Sequence, residues 1–246
     1  LAPLIVAVDG PTGLNYDTGE LDPHSLSADV SVTCAYPKIG HARLPGARAV
    51  GKLTVADIGI DPQLAKEIEL ELADAQLIRS LLPARPIDAH KGTFGKALIV
   101  AGSIEYTGAP ILSATAAYRS GAGLVTLATP RSIHAIVSGK INEATFLPLP
   151  DRNGALSAEA AEPLIEALKT YDAVLIGPGL SLKAGSFIDL MFNERLLPPL
   201  VVDADALNIL AQIDQWWTRV PAPVVLTPHP GEMSRLTKID RDRIEA

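Results

Sequence analysis

Residues 96–102 read KALIVAG, an apolar run that begins on a lysine and ends on a glycine. Four more runs of the same make follow: LVTLAT at 124–129, DAVLIG at 172–177, PLVVDAD at 199–205 and PVVLTP at 223–228. Helix-like stretches lie among them near 110–120, 130–139, 157–169, 184–195 and 204–212. Strands alternating with helices of this length predict an α/β domain, a mostly parallel sheet with helices on both faces. Ligands of such sheets bind beyond the carboxyl ends of the strands, where the polar and glycine-rich turns of this chain gather.

Towards the N-terminus the pattern changes. Three strands are expected, at Leu4–Asp9, Asp29–Ala35 and Ala49–Asp57, with loops over Gly10–Leu21 and Tyr36–Gly46. The first, LIVAVD, is apolar throughout, as in a central parallel strand covered on both faces. No convincing helix within residues 1–60 supplies that cover, so they read as the end of a domain whose earlier elements are elsewhere. DPQLAKEIELELADAQLIRSLLP, 61–83, reads as a connector with one helix, its boundary falling near Pro83–Asp88. The expected division is therefore 1–60, 61–88 and 89–246. The chain opens on Leu1 directly into a strand-like run and stops at Ala246 inside a helix-like one, which suggests a piece of a longer protein.

Composition narrows the function classes. With 246 residues and 48% hydrophobic content, the chain can bury a sizeable core. A net charge of −7 with no basic run speaks against a nucleic-acid partner. No stretch approaches the roughly 20 apolar residues of a membrane span. Cys34 is alone, so a disulfide within the chain is excluded and a reducing, cytoplasmic setting is expected. With no Lys or His read as a neighbour of Cys34, it has no evident source of activation.

Six motifs carry chemistry. Asp9-Gly10-Pro11-Thr12-Gly13 closes the first strand and sets a carboxylate three residues before a hydroxyl suited to a cation; a turn in which Asp9 caps backbone amides is the plainer local reading. His90-Lys91-Gly92-Thr93-Phe94-Gly95 precedes KALIVAG and reads equally as an anion-facing loop or a simple turn. Ala101-Gly102-Ser103, running on to Thr107-Gly108-Ala109-Pro110, is small enough for a flat ring, or for tight packing of a helix on the sheet. Gly177-Pro178-Gly179-Leu180 lets backbone approach a ligand. Asp203 and Asp205, in VDADAL, face solvent, metal or a phosphate-bearing ligand, or Asp205 caps the next helix. His229 and Glu232, in TPHPGE, flank a turn that could hold an imidazole over a ring.

In order and spacing these segments resemble the bacterial bifunctional NAD(P)H-hydrate repair enzymes. VDGPTG with SVTCAYPKIG and VADIGI is similar to the closing strands of their Rossmann-like α/β/α epimerase domain. HKGTFGKALIVAGS, RSGAGLVT, IGPGL, DADALN and LTPHPGE are similar to their ribokinase-like dehydratase domain. The resemblance implies ADP-dependent dehydration of (S)-NAD(P)H hydrate, with ATP used by eukaryotic relatives, and R/S epimerisation by the N-terminal domain. It implies that Asp9 contacts the hydrated nicotinamide, that Thr12 helps bind K⁺, and that Ala109, Gly179 and His229 contact the dinucleotide hydrate. Glu232 takes a Mg²⁺ or phosphate role, the partners are NAD(P)H hydrate and an adenine nucleotide, and the parent is a homo-oligomer. The epimerase's early Asn/Gly-rich loop is absent, and the dehydratase's catalytic aspartate, in a G-[ST]-G-D motif, is expected beyond Ala246. No turnover, poor solubility and weak ligand binding are therefore expected of residues 1–246 alone. The rival readings are a ribokinase-like kinase of a vitamin precursor and a non-catalytic dinucleotide-binding protein.

Overall fold

The computed structural model describes residues 3–193, 197–220 and 223–245. It forms two compact units, Leu1–Ala84 and Arg85–Ala246.

In the first unit β1 (Val6–Val8), β2 (Val30–Cys34) and β3 (Lys52–Ala56) make a parallel sheet in that order. β2 and β3 pair from Val30↔Lys52 to Cys34↔Ala56, and β1 pairs with β2 from Val6↔Val30. Within the described residues β1 lies at the sheet edge, with Val6 52% and Val8 79% exposed, so no element there supplies the cover that its apolar run calls for. The loop expected at 36–46 contains a one-turn helix, α1 (Ile39–Ala42), where the Lys38 amide donates to His41 Nδ1 at 3.2 Å and the His41 amide donates to the Lys38 carbonyl at 3.0 Å. A second single turn, α2 (Ala47–Val50), precedes β3. The helix expected in 61–83 is shorter than its composition suggests. A 3-10 turn covers Pro62–Ala65, and α3 forms only over Ala75–Leu81, where the Asp74 carboxylate accepts the Gln76 and Leu77 amides at 2.9 and 2.8 Å. Between them Ile68, Leu70 and Leu72 recur at every second residue, which scatters them around a helix instead of building one face, and all three are exposed.

The second unit follows the expected alternation. In chain order it contains β4 (Lys96–Val100), α4 (Gly108–Ser120), β5 (Leu124–Pro130), α5 (His134–Ser138) and β6 (Thr145–Leu149). A short hairpin of β7 (Asp151–Arg152) and β8 (Ala155–Leu156) leads to α6 (Ala161–Leu168), β9 (Ala173–Ile176) and α7 (Gly185–Met191). β10 (Leu200–Val202), α8 (Ala204–Leu210), β11 (Val224–Leu226), α9 (Pro230–Thr237) and α10 (Arg241–Glu245) complete it. Six strands form one wholly parallel sheet in the order β11-β10-β9-β4-β5-β6. The last positions of the helix expected to reach 195 fall partly outside the described residues, as do both chain ends.

Why the sheet is buried on both faces can be read from β4. Leu98 and Val100 point into one core with Leu164 of α6, Phe187 of α7, Leu207 of α8 and Leu236 of α9. Ile99 and the following Ala101 point into the opposite core with Ala114 of α4, Ile133 and Val137. A strand alternates its side chains between faces, so a continuous apolar run is what two-sided cover requires. β6 and the β7–β8 hairpin were not anticipated. TFLPL contains Pro148, which argues against a strand; β6 accommodates it because it is an edge strand. Among the described residues, no helix is long and apolar enough to cross a membrane.

Both tryptophans of the chain, Trp216 and Trp217, lie in the second unit, and Trp216 packs against the core that contains Leu98. Leu98→Ala is expected to cost about 2–5 kcal/mol in urea unfolding followed by tryptophan fluorescence. Leu112→Ala, at a 73% exposed position, should stay within about 0.5 kcal/mol of wild type. A loss below about 1 kcal/mol at Leu98 would contradict the two-sided burial of β4.

Candidate functional site

The second unit begins in the middle of its sheet, winds outward through β5 and β6, then returns to place β9 on the other side of β4. Strand order reverses there, and the crevice between the carboxyl ends of β4 and β9 is the position where doubly wound sheets take ligands. Two loops meet in it. The Gly102 amide donates to the Pro178 carbonyl at 2.9 Å, and the Gly177 amide donates to Val100 at 3.1 Å. Gly179, at φ +65°, lies so close to the start of α4 that a Cβ there would stand 2.8 Å from Ala109 Cβ and 2.7 Å from Tyr106 Cβ. Ala109 and Gly179, separated by 70 positions in sequence, are thus packed together at the crevice. Ser103 Oγ and Thr129 Oγ1, near the ends of β4 and β5, are buried without a hydrogen-bond partner in the described residues.

Polar ties continue across the strand ends. Asp205 accepts the Ser181 amide at 2.9 Å, binding the glycine loop after β9 to the turn after β10. Asp203 accepts the Thr227 hydroxyl at 2.7 Å, binding that turn to the end of β11. Asp205 is therefore not the cap of α8, the reading left open from sequence. The N-cap position belongs to Asp203, and neither carboxylate is left without a partner. Ser181 and Ala204 both adopt positive φ, +65° and +49°. Conformations this costly for residues with a Cβ persist where surrounding structure enforces them, and they cluster at functional sites.

His229 and Glu232 form a reciprocal cap at the start of α9. His229 Nδ1 accepts the Gly231 and Glu232 amides at 3.1 and 3.4 Å, while Glu232 Oε2 accepts the His229 amide at 3.0 Å. An imidazole that accepts through Nδ1 carries its neutral-form proton on Nε2. That Nε2 lies 3.3 Å from Glu232 Oε1, on a side chain that is 63% exposed. Glu232 is nearly buried, with both oxygens turned towards His229. His229 stands two strands from Gly179, a separation of about 10 Å at ordinary strand spacing.

The turn after β1 in the first unit is more tightly built than its sequence suggests. Asp9, at φ +65°, accepts the Cys34 amide at 3.0 Å, the Thr33 hydroxyl at 2.9 Å and the Lys38 ammonium, all on Oδ1. The Cys34 amide first, then Lys38, with Thr33 adding to them, lower its pKa to about 2. Gly10 has no room for a side chain, since a Cβ would lie 2.8 Å from the Tyr16 ring and 2.9 Å from His41 Nε2. Thr12 stays exposed on the turn. Sequence reasoning missed Lys38; its signal was its position in the loop joined to β2, four residues beyond Cys34. That also corrects the reading of Cys34 as having no cation nearby, since the Lys38 ammonium donates to its carbonyl at 3.1 Å.

A wholly parallel sheet with its glycine loops at the reversal of strand order defines the class, a ribokinase-like α/β domain. A ribokinase-like superfamily protein of Enterococcus faecalis superposes on 69% of this chain and 57% of its own at TM-score 0.57, with 27% identity. The family can be named more closely. A family model described as NAD(P)H-hydrate dehydratase matches residues 97–245, and the chain belongs to that family. An ADP/ATP-dependent NAD(P)H-hydrate dehydratase of Bacillus subtilis, co-crystallised with ATP/Mg²⁺, is 31% identical at TM-score 0.51 over 69% of this chain and 57% of that one. The bifunctional NAD(P)H-hydrate repair enzyme of Moorella thermoacetica is 46% identical over 98% of this chain and 47% of its own length. The chain spans about half the length of the curated relatives it matches.

Two outcomes are expected from this geometry. Asn caps helices as well as any residue, so His229→Asn should melt like wild type while His229→Ala loses about 1 kcal/mol. If the ring serves a ligand as well as the cap, both variants lose dinucleotide-hydrate binding by calorimetry; full binding by His229→Asn would confine the ring to capping. The second outcome concerns pH. The folded-state pKa of Asp9 lies below the unfolded value near 3.9, so its stabilising contribution is complete above about pH 4 and disappears as pH falls through 2. Carbon-13 titration of the Asp9 carboxyl should give a midpoint near 2; one near 4 would show that the three bonds to Oδ1 do not hold.

Proposed function

We propose that the chain belongs to a repair enzyme for hydrated nicotinamide dinucleotides. The second unit takes part in ADP-dependent dehydration of (S)-NAD(P)H hydrate to NAD(P)H, and the first in interconversion of the R and S hydrates. The observation that carries this reading is the seat of Gly179 on Ala109 at the crevice between β4 and β9, in a chain of the NAD(P)H-hydrate dehydratase family.

In this reading Ala109 and Gly179 leave a flat, Cβ-poor surface for the dinucleotide, and His229 donates through Nε2 to an acceptor on it. Asp9 accepts from the hydrated ring in the first unit. The chemistry explains why a kinase-like fold suits a dehydration. Hydroxide leaves poorly, whereas a phosphoryl group moved from ADP to the ring hydroxyl lets the ring nitrogen expel phosphate. The resulting iminium loses a proton from the adjacent ring carbon to restore the double bond. The oxygen of the added water ends in inorganic phosphate and the nucleotide ends as AMP, with positioning supplying most of the rate gain.

Magnesium and potassium receive unequal support. Among the described residues no three His, Cys, Asp or Glu side chains converge on a common point, and the Glu232 carboxylate is committed to its cap. These residues do not by themselves form a magnesium cage, and no step above is routed through the metal. Mg²⁺ commonly rests on nucleotide phosphates and water with few carboxylates, so it enters here only with the nucleotide. K⁺ at Thr12 is supported by an exposed hydroxyl beside the Asp9 turn.

The encoded full-length protein should restore the nicotinamide absorbance band when given (S)-NADH hydrate and ADP, releasing equal amounts of AMP and phosphate. An unchanged band with both ADP and ATP would overturn the reading. Transfer of phosphate to a vitamin precursor in the same assay would favour the kinase.

A further inference from the structure

We propose that Lys38 is a positioning residue of the hydrate site in the first unit: its ammonium anchors one oxygen of Asp9 so that the other is presented to the hydroxyl of the hydrated nicotinamide. This rests on the reading of that unit as part of an epimerase. The case begins with counting donors and acceptors. An ammonium has three protons. Lys38 has three acceptors in reach: Asp9 Oδ1, the Thr33 hydroxyl at 2.8 Å and the Cys34 carbonyl at 3.1 Å. Its donors are used up inside the turn, so Lys38 acts through Asp9 and does not itself touch a ligand.

Asp9 is loaded on one side. Thr33, Cys34 and Lys38 all donate to Oδ1, and among the described residues no hydrogen bond to Oδ2 is present. Three donors converging on one oxygen fix the rotation of the carboxyl group and point the second oxygen away from them. An ordinary exposed ion pair would do less, because one bond leaves both side chains free to turn and contributes little. Here Asp9 is also held at positive φ, a conformation with a cost that a simple capping aspartate has no need to bear. The groups around it act in concert. The aliphatic part of Lys38 leads its charge to 6.0 Å from the Tyr16 ring, Tyr16 stacks edge-on with His41, and the His41 Nδ1 accepts the Lys38 amide at 3.2 Å. Burial, then the charge of Lys38, push the His41 pKa down. A carboxylate held in this way accepts a hydrogen bond from a hydroxyl while remaining an anion, which orients the ring carbon bearing that hydroxyl.

The test uses the encoded full-length protein and (R)-NADH hydrate, with conversion to the S epimer followed by chromatography. In Lys38→Ala the epimerisation kcat should fall about 100-fold, the scale of loss from a misplaced group. Dehydration of the S epimer, which uses residues of the other unit, should be unchanged. Added propylamine, which restores an ammonium but no packing or loop contact, should recover about tenfold of the lost rate, and propanol none. Wild-type epimerisation by Lys38→Ala, or a loss that propylamine does not restore, overturns the proposal. If Lys38→Ala does not fold, Lys38→Arg decides. Its planar fork keeps the charge but cannot serve the same three acceptors, so kcat should fall about tenfold, and a wild-type rate overturns the proposal. Absence of epimerisation in the wild-type protein would remove the epimerase reading itself, together with this inference.

Discussion

Everything in the second unit depends on the burial of β4 from both sides. Leu98 and Val100 are held by one layer of helices, Ile99 and Ala101 by the other, and all four are 2% exposed or less. The helices that cover both faces of this strand are supplied by crossovers, and its neighbours here pair with it in parallel. The crossovers send every strand the same way. Every carboxyl end then emerges at one edge of the sheet, and the loops that carry Gly102, Gly177, Asp203 and Thr227 are brought to that edge by topology. The position of the site follows from where the apolar runs are.

That dependence explains what could be read in the sequence. Continuous apolar runs such as ALIV and AVLI, spaced between helix-like segments, suit doubly covered parallel strands, and they pointed to the architecture of the second unit. TFLPL did not, because an edge strand needs neither a continuous apolar run nor a donor at each position, and Pro148 hid it. EIELEL misled in the opposite direction: its charge and Leu content favour a helix, while its spacing of two gives a helix no face to bury. LIVAVD has the composition of a covered strand, and in the described residues it stands at a sheet edge with Val6 and Val8 exposed, as its lack of a neighbouring helix in the sequence led one to expect.

The site was legible in its glycines and less so in its acids. A glycine needed for close approach announces itself by lacking a side chain, and Gly179 packs so closely on Ala109 that a Cβ would not fit. An aspartate at a strand end announces nothing, because the same residue can cap, clamp, coordinate or catalyse. Asp203 and Asp205 are clamps: each takes a donor from the next loop across the sheet and fixes the edge of the crevice. A carboxylate with such a partner is stable where an unpaired one would be costly, which is why a charged pair can close an apolar strand. No one-dimensional spacing rule reports these partners, because they lie 24 positions away in sequence.

Asp9 and His229 solve a common problem in different chemistry. A group that must meet a ligand in one orientation cannot be left to rotate, yet packing it fully would hide it. Each has two polar atoms; in Asp9 one oxygen takes the hydrogen bonds, and in His229 Nδ1 takes the amides while Nε2 lies 3.3 Å from Glu232 Oε1. Asp9 gives Oδ1 to an amide, a hydroxyl and an ammonium; His229 gives Nδ1 to the amides that open α9. The tied atom sets the character of the other. A carboxylate loaded with donors remains an anion, so its open oxygen can only accept. An imidazole that accepts at one nitrogen must carry its neutral-form proton on the other, so Nε2 of His229 can only donate. In the proposed reading, the capping roles that compete with function in the sequence are the means by which function is oriented. Replacing either residue by one that caps equally well but lacks the second atom, or carries a different one there, separates the two roles.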